Sequence, residues 1–236
     1  MKSPSHFAPS KDAPRAVLFD AYGTLFDVYS VAQLAERLFP GHGQTLSVLW
    51  RDKQIEYTRL VTTSSHGAHY QPFWELTRAA LVYALKRLAI QPVSEAHIDQ
   101  MMNQYHHLTA YPENREVLLA LKAKGVATGI LSNGNREMLA IAVKSAGLSD
   151  VLDHVISVDS VRKYKTHPDA YALGEVACGL PAAQIAFVSS NSWDALAATW
   201  YGYPTLWVNR HNAPFEELGT QPTRVGTSLR DVLSFF

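Results

Sequence analysis

The chain has 236 residues, 47% of them hydrophobic and 18% charged, with 21 Lys and Arg against 21 Asp and Glu. That composition suits one globular core, or a core carrying an insertion. The zero formal net charge leaves no electrostatic footprint for nucleic acid or a membrane surface, and no run approaches the roughly 18 apolar residues of a membrane helix. Residues 1–14, MKSPSHFAPSKDAP, lack the apolar stretch of a signal peptide and read as a loose tail, which points to the cytoplasm. Ala16–Phe19 is the first continuous apolar run, the pattern of a parallel strand buried on both faces. From 27 to 108 helical periodicity dominates, over Val31–Phe39, Leu46–Thr62, Pro72–Leu88 and Ser94–Leu108, with no convincing strand. Apolar runs then return at Val126–Leu131, more weakly at Val155–Val158, and at Ile185–Val188 and Thr205–Val208. They alternate with helical patterns at Glu113–Lys124, Arg136–Ala146 and Pro168–Cys178, each followed by a Gly that ends it. The order predicts a doubly wound α/β fold: a Rossmann-like parallel-sheet core of residues 15–26 and 109–236, with an inserted all-helical cap subdomain of residues 27–108 over the C-terminal edge of the sheet. Cys178 is the only cysteine, so there is no disulfide framework and it reads as core filling.

Four segments at strand ends carry polar residues. Asp20 closes the first strand within VLFDAYGTLFD. On that strand alone it reads equally as a turn cap or as a reacting carboxylate at the edge where such folds bind ligands. Gly23 permits the turn, and Thr24 is placed to hydrogen-bond the carboxylate. Ser132-Asn133-Gly134-Asn135 follows the second core strand and also suits a helix N-cap. Lys165 precedes a helix opened by Pro168, and Ser189-Ser190-Asn191-Ser192-Trp193-Asp194 follows Val188. All four should converge on one crevice. His66, His69, His106 and His107 lack the companions of a metal site, and Trp200, Tyr201 and Tyr203 read as packing.

These segments resemble the four motifs of the haloacid dehalogenase superfamily, over about residues 15–236. Two positions depart from its phosphatases. Tyr22 stands where they carry a second Asp, and Ser190 where they carry the first of two carboxylates, with Asp194 remaining. The first change removes a proton donor that an alkoxide leaving group needs and a halide does not. The second removes a ligand for magnesium, which is held chiefly by carboxylates and substrate phosphate. With DAYGTLFD, LSNGN, KxxPxxY, SSNxWD and the cap segment Leu49–Tyr57, the chain is similar to the L-2-haloacid dehalogenase branch.

The resemblance implies a hydrolase without metal or cofactor. Asp20 would displace halide from a small (S)-2-haloacid with inversion, forming an ester. Lys165 would keep Asp20 ionised and aimed, and Thr24 would hold its rotamer. Asp194 would be the general base for water, oriented by Asn191. Ser132 and the N–H groups of Ala21 and Tyr22 would bind the substrate carboxylate, and Arg51 would receive the halide. Tyr22, Ile55 and Trp193 would wall the pocket, with support from Ser189, Tyr171 and Asn133. The implied partners are the haloacid, water and a second copy of the chain through the cap helices. Three alternatives stay open: the same covalent chemistry on a strained-ring amino acid, a superfamily phosphatase, and a non-catalytic scaffold.

Overall fold

The computed structural model describes residues 13–236, so most of the expected tail lies outside the described residues. Strand β1 (Ala16–Phe19) is buried at every position. A short strand β2 (Phe26–Asp27) leads into the helical segment. This comprises α1 (Ala32–Leu38), α2 (Gly43–Thr63), α3 (Phe73–Arg87) and α4 (Glu95–His106). Strand β3 (Thr109–Ala110) returns the chain and pairs antiparallel with β2, Asp27 opposite Thr109. The alternating part follows: α5 (Asn114–Ala123), β4 (Ala127–Ser132), α6 (Arg136–Ser145), β5 (His154–Ser157), α7 (Pro168–Cys178), β6 (Ile185–Ser189), α8 (Ser192–Tyr201), β7 (Thr205–Val208) and β8 (Arg224–Gly226).

The large sheet runs β5-β4-β1-β6-β7-β8, and every pairing in it is parallel. The chain builds outward from β1 to one edge, then crosses back and builds toward the other. The order therefore reverses at β1, and the crevice at such a switch point is where open α/β sheets bind ligands. Asp20 follows β1 directly.

In the helical segment, α2 buries Leu46, Ser47, Trp50, Arg51, Gln54 and Thr58, a stripe at helical spacing. The Trp50 indole donates to the Thr77 carbonyl at 2.7 Å, tying α2 to α3. This segment also grips the core loop that leads to Lys165. Tyr164 donates its hydroxyl to the Gln71 carbonyl and its N–H to Thr62 Oγ1, and the Tyr70 hydroxyl donates to Asp159.

Several sequence expectations shift. Strand β4 starts one residue late because the Val126 N–H is used by the Leu121 carbonyl at the end of α5. It gains Ser132, which pairs with Ser157 of β5. Strand β5 begins at His154 and ends at Ser157, because Val158 opens a 3-10 turn. Asp27, expected to open the helical cap segment, is in a strand. Trp200 is 58% exposed rather than packed, its indole donating to Thr220.

Candidate active site

The Asp20 carboxylate is 6% exposed and takes three donors. Thr24 Oγ1 and Asn191 Nδ2 reach Oδ2 at 2.9 and 2.8 Å, and Lys165 Nζ reaches Oδ1 at 3.1 Å. Thr24 is itself fixed by the Ser190 N–H, which donates to its hydroxyl at 2.8 Å. Gly23 makes this turn possible. Its φ is +102°, and a Cβ there would press on the Asn191 amide at 3.3 Å.

Lys165 has a fully buried side chain. Its ammonium bridges Asp20 and Asp194, at 3.1 and 3.0 Å. A buried cation is tolerable only with such partners. Its backbone is anchored as well: the Lys165 N–H donates to Asn133 Oδ1 at 2.9 Å. Asp194, in the first turn of α8, also accepts from the Tyr171 hydroxyl at 2.7 Å and the Ser189 hydroxyl at 3.0 Å. Burial pushes the Asp194 carboxyl above the ordinary carboxylate range, against the pull of the Lys165 charge. Burial likewise raises the Tyr171 hydroxyl, helped by the Asp194 charge, so it stays a proton-bearing donor.

Arg51 arrives from α2 on the opposite side. Its Nη2 donates to the Tyr22 carbonyl at 2.8 Å and to Asn191 Oδ1 at 3.3 Å, and its Nη1 donates to Gln54 Oε1 at 2.7 Å. Every one of these acceptors is neutral. Asn191 therefore joins the two sides, donating to Asp20 and accepting from Arg51. The N–H groups of Ala21 and Tyr22 donate to no acceptor among the described residues. They remain available to an anion beside Asp20.

The other expected residues fall in three places. Ser132 is buried beside the site, with its hydroxyl accepting from the Gly134 N–H at 3.1 Å. The Tyr22 ring lies among Phe26, Phe73 and Tyr105, stacked on the last at 5.5 Å. A Cβ at position 134 would come within 2.7 Å of that ring, so Gly134 is required for the loop to approach. Ile55 and Trp193 line a cavity of about 510 Å³ that also borders Arg51 and Asn191.

Sequence reasoning missed Gln54 and Tyr105. Gln54 is fully buried and donates to Thr77 Oγ1 at 2.6 Å and the Tyr105 hydroxyl at 3.1 Å. It holds Arg51 from below. The available signal was its spacing, three residues after Arg51 on one helix, which puts both side chains on one face. Among the described residues, no group of three His, Cys, Asp or Glu side chains is placed to hold a metal ion.

The model of the haloacid dehalogenase-like hydrolases matches residues 14–202. An (S)-2-haloacid dehalogenase of Pseudomonas putida is 41% identical over 208 residues, which is 88% of this chain and 91% of that protein. A crystal structure of an L-2-haloacid dehalogenase superposes with a TM-score of 0.92 at 56% identity, over 94% of this chain and 98% of the other. The L-2-haloacid dehalogenase of Xanthobacter autotrophicus, with chloropropionic acid covalently bound, gives a TM-score of 0.84 at 38% identity, over 93% and 96% of the two chains.

Proposed function

The chain belongs to the haloacid dehalogenase-like hydrolases, and we propose that it hydrolyses small (S)-2-haloalkanoic acids to 2-hydroxy acids through an ester on Asp20. The observation that carries this reading is the Asp20–Lys165–Asp194 chain, two carboxylates joined by one buried ammonium. Asp20 faces the Lys165 ammonium, so its carboxylate is the nucleophile without a separate base to activate it. An oxygen of Asp20 attacks the substrate Cα opposite the halogen. The C–O bond forms as the carbon–halogen bond breaks, and halide leaves with the electron pair. The free N–H groups of Ala21 and Tyr22, with Ser132, hold the substrate carboxylate. Arg51 receives the halide, and its neutral partners suit it to an added anion. Ile55, Tyr22 and Trp193 complete the walls.

Water then attacks the Asp20 carbonyl carbon, oriented by Asn191. Asp194 takes a proton from that water and returns it to the departing 2-oxyanion as the adduct collapses, and the regenerated Asp20 carboxyl releases the remaining proton to solvent. A carboxyl raised by burial is a better base than an ordinary aspartate. Ser189 and Tyr171 aim Asp194, and Asn133 holds the Lys165 loop. The side chains do not fit a divalent cation. Lys165 already occupies the space between Asp20 and Asp194, and Ser190 offers no carboxylate.

The test is halide release from (S)-2-chloropropionate with EDTA present, where full activity is expected. Asp20→Asn should abolish it. A single turnover in ¹⁸O-water should place the label in Asp20, and a label found only in the product would overturn the ester. We also infer a cytoplasmic homodimer. The apolar Val48, Leu60 and Tyr83 stand exposed on α2 and α3, and light scattering should give twice the chain mass. No helix of the described residues is long and apolar enough to cross a membrane.

A further inference from the structure

The cavity of about 510 Å³ beside the site has a size typical of pockets for drug-sized ligands, more than a three-carbon acid needs. Its inner wall is Gly23, Arg51 and Asn191, but Asp20 and Lys165 do not line it. The hydrogen bonds from Arg51 to the Tyr22 carbonyl and Asn191 thus stand between the cavity and the nucleophile.

The charges on its wall are unequal in how they are engaged. Arg210 is paired with Glu113 at 2.6 Å, and Glu56 with Lys53 at 2.6 Å. Arg51, Arg59 and Asp52 also line it, and among the described residues none of these three is in an ion pair. The Arg59 guanidinium lies over the Trp193 ring, 5.4 Å from its centre, and the residue is exposed. Deeper in, the single charge of Lys165 faces the two of Asp20 and Asp194. The inner site therefore has no surplus cation to draw in a carboxylate, whereas on the cavity wall Arg51 and Arg59 against Asp52 leave one unpaired cation in excess. Such an excess of one sign in a cleft with low-dielectric walls concentrates the opposite ion.

Resting on the dehalogenase reading above, we propose that this cavity is the antechamber through which small carboxylates reach Asp20, and that Arg59, stacked on Trp193, is its carboxylate-collecting residue and sets specificity for anions. Arg59 never touches the reacting atoms, so its loss falls on capture of substrate rather than on turnover.

The test compares Arg59→Gln, Arg59→Glu and Asp52→Asn, with Arg37→Gln as an exposed arginine away from the cavity. With (S)-2-chloropropionate at low ionic strength, Arg59→Gln should lower kcat/KM about three- to tenfold, a gap that added salt should close. Arg59→Glu should lower it further, Asp52→Asn should raise it, and Arg37→Gln should leave it unchanged. A second measurement needs no turnover. In an Asp20→Asn background, L-lactate should quench or enhance tryptophan fluorescence, with an affinity weakened by Arg59→Gln in the same proportion. If wild-type protein released no halide, the dehalogenase reading would fall, and the lactate titration would still decide the role of Arg59. Equal lactate affinity and equal kcat/KM with and without Arg59, or a loss matched by Arg37→Gln, would overturn the proposal.

Discussion

The α/β core and the helical segment hold their charged groups in opposite ways. In the core, Asp20, Lys165 and Asp194 satisfy one another, and each is pinned by further donors or acceptors from the loops after the strands and from helix α7. In the helical segment, Arg51 is held as firmly, but only by neutral oxygens of Gln54, Tyr22 and Asn191. A paired charge is committed: it fixes geometry and ionisation before substrate arrives. A charge held by neutral acceptors keeps its field for a visitor. The contrast fits the proposed roles, with nucleophile and base in the core and the arriving or departing anion on the helical side.

The sharpest way to break this comparison is Lys165→Met. It leaves two buried carboxylates facing each other, one of which must then take up a proton. The expected loss in kcat/KM is roughly 10³-fold, measured by halide release, and a loss under tenfold would end the idea of a committed core charge. Arg51→Ala comes next, at about 10²-fold for a chloro substrate. The loss should shrink for bromo and iodo acids, whose halides leave more easily. Equal losses across the series would remove Arg51 from the leaving-group step.

Gln54→Leu tests whether the neutral cradle matters. It strips Arg51, Thr77 and Tyr105 of a partner, so thermal unfolding should show a cost of about 1–3 kcal/mol. Activity should fall about tenfold as the guanidinium drifts. Intact activity with lowered stability would make Gln54 a packing residue only. The smallest effect is on pH. A carboxyl whose pKa is raised is protonated sooner as pH falls, so kcat should decline on the acid side above the ordinary aspartate range. The Tyr171 hydrogen bond favours the ionised form. Tyr171→Phe should therefore move that limb to higher pH with a modest loss at the plateau, and a limb that stays put or moves down contradicts the assignment.

Much of this arrangement is legible in the amino-acid sequence. The strands β1, β4, β6 and β7 announce themselves as apolar runs because both faces of the sheet are covered there, and the edge strand β5, with Val155 exposed, gives a weaker run. Their ends then locate Asp20, Ser132, Ser189 and Asp194. Strands β2, β3 and β8 are two or three residues long, and no pattern of that length outweighs its surroundings. On the helical side Arg51 is visible only through resemblance, since an arginine on a helix is ordinarily solvated. Gln54 is harder still: a neutral amide gains meaning only once α3 and α4 bring Thr77 and Tyr105 against it. The roles that depend on pairs across the chain are written in contacts, not in spacing.

The small β2–β3 ladder has a wider consequence. The two threads that enter and leave the helical segment are laced side by side, Phe26 to Ala110 and Asp27 to Thr109. To the core, the whole segment is one loop closed at its base. The entropy of closing a loop grows only logarithmically with its length, about 0.6 kcal/mol per doubling. A change in the number of residues above the ladder therefore adds little closure entropy, and what it costs the core lies in the contacts of Thr62, Tyr70 and Gln71 with the loop before Lys165.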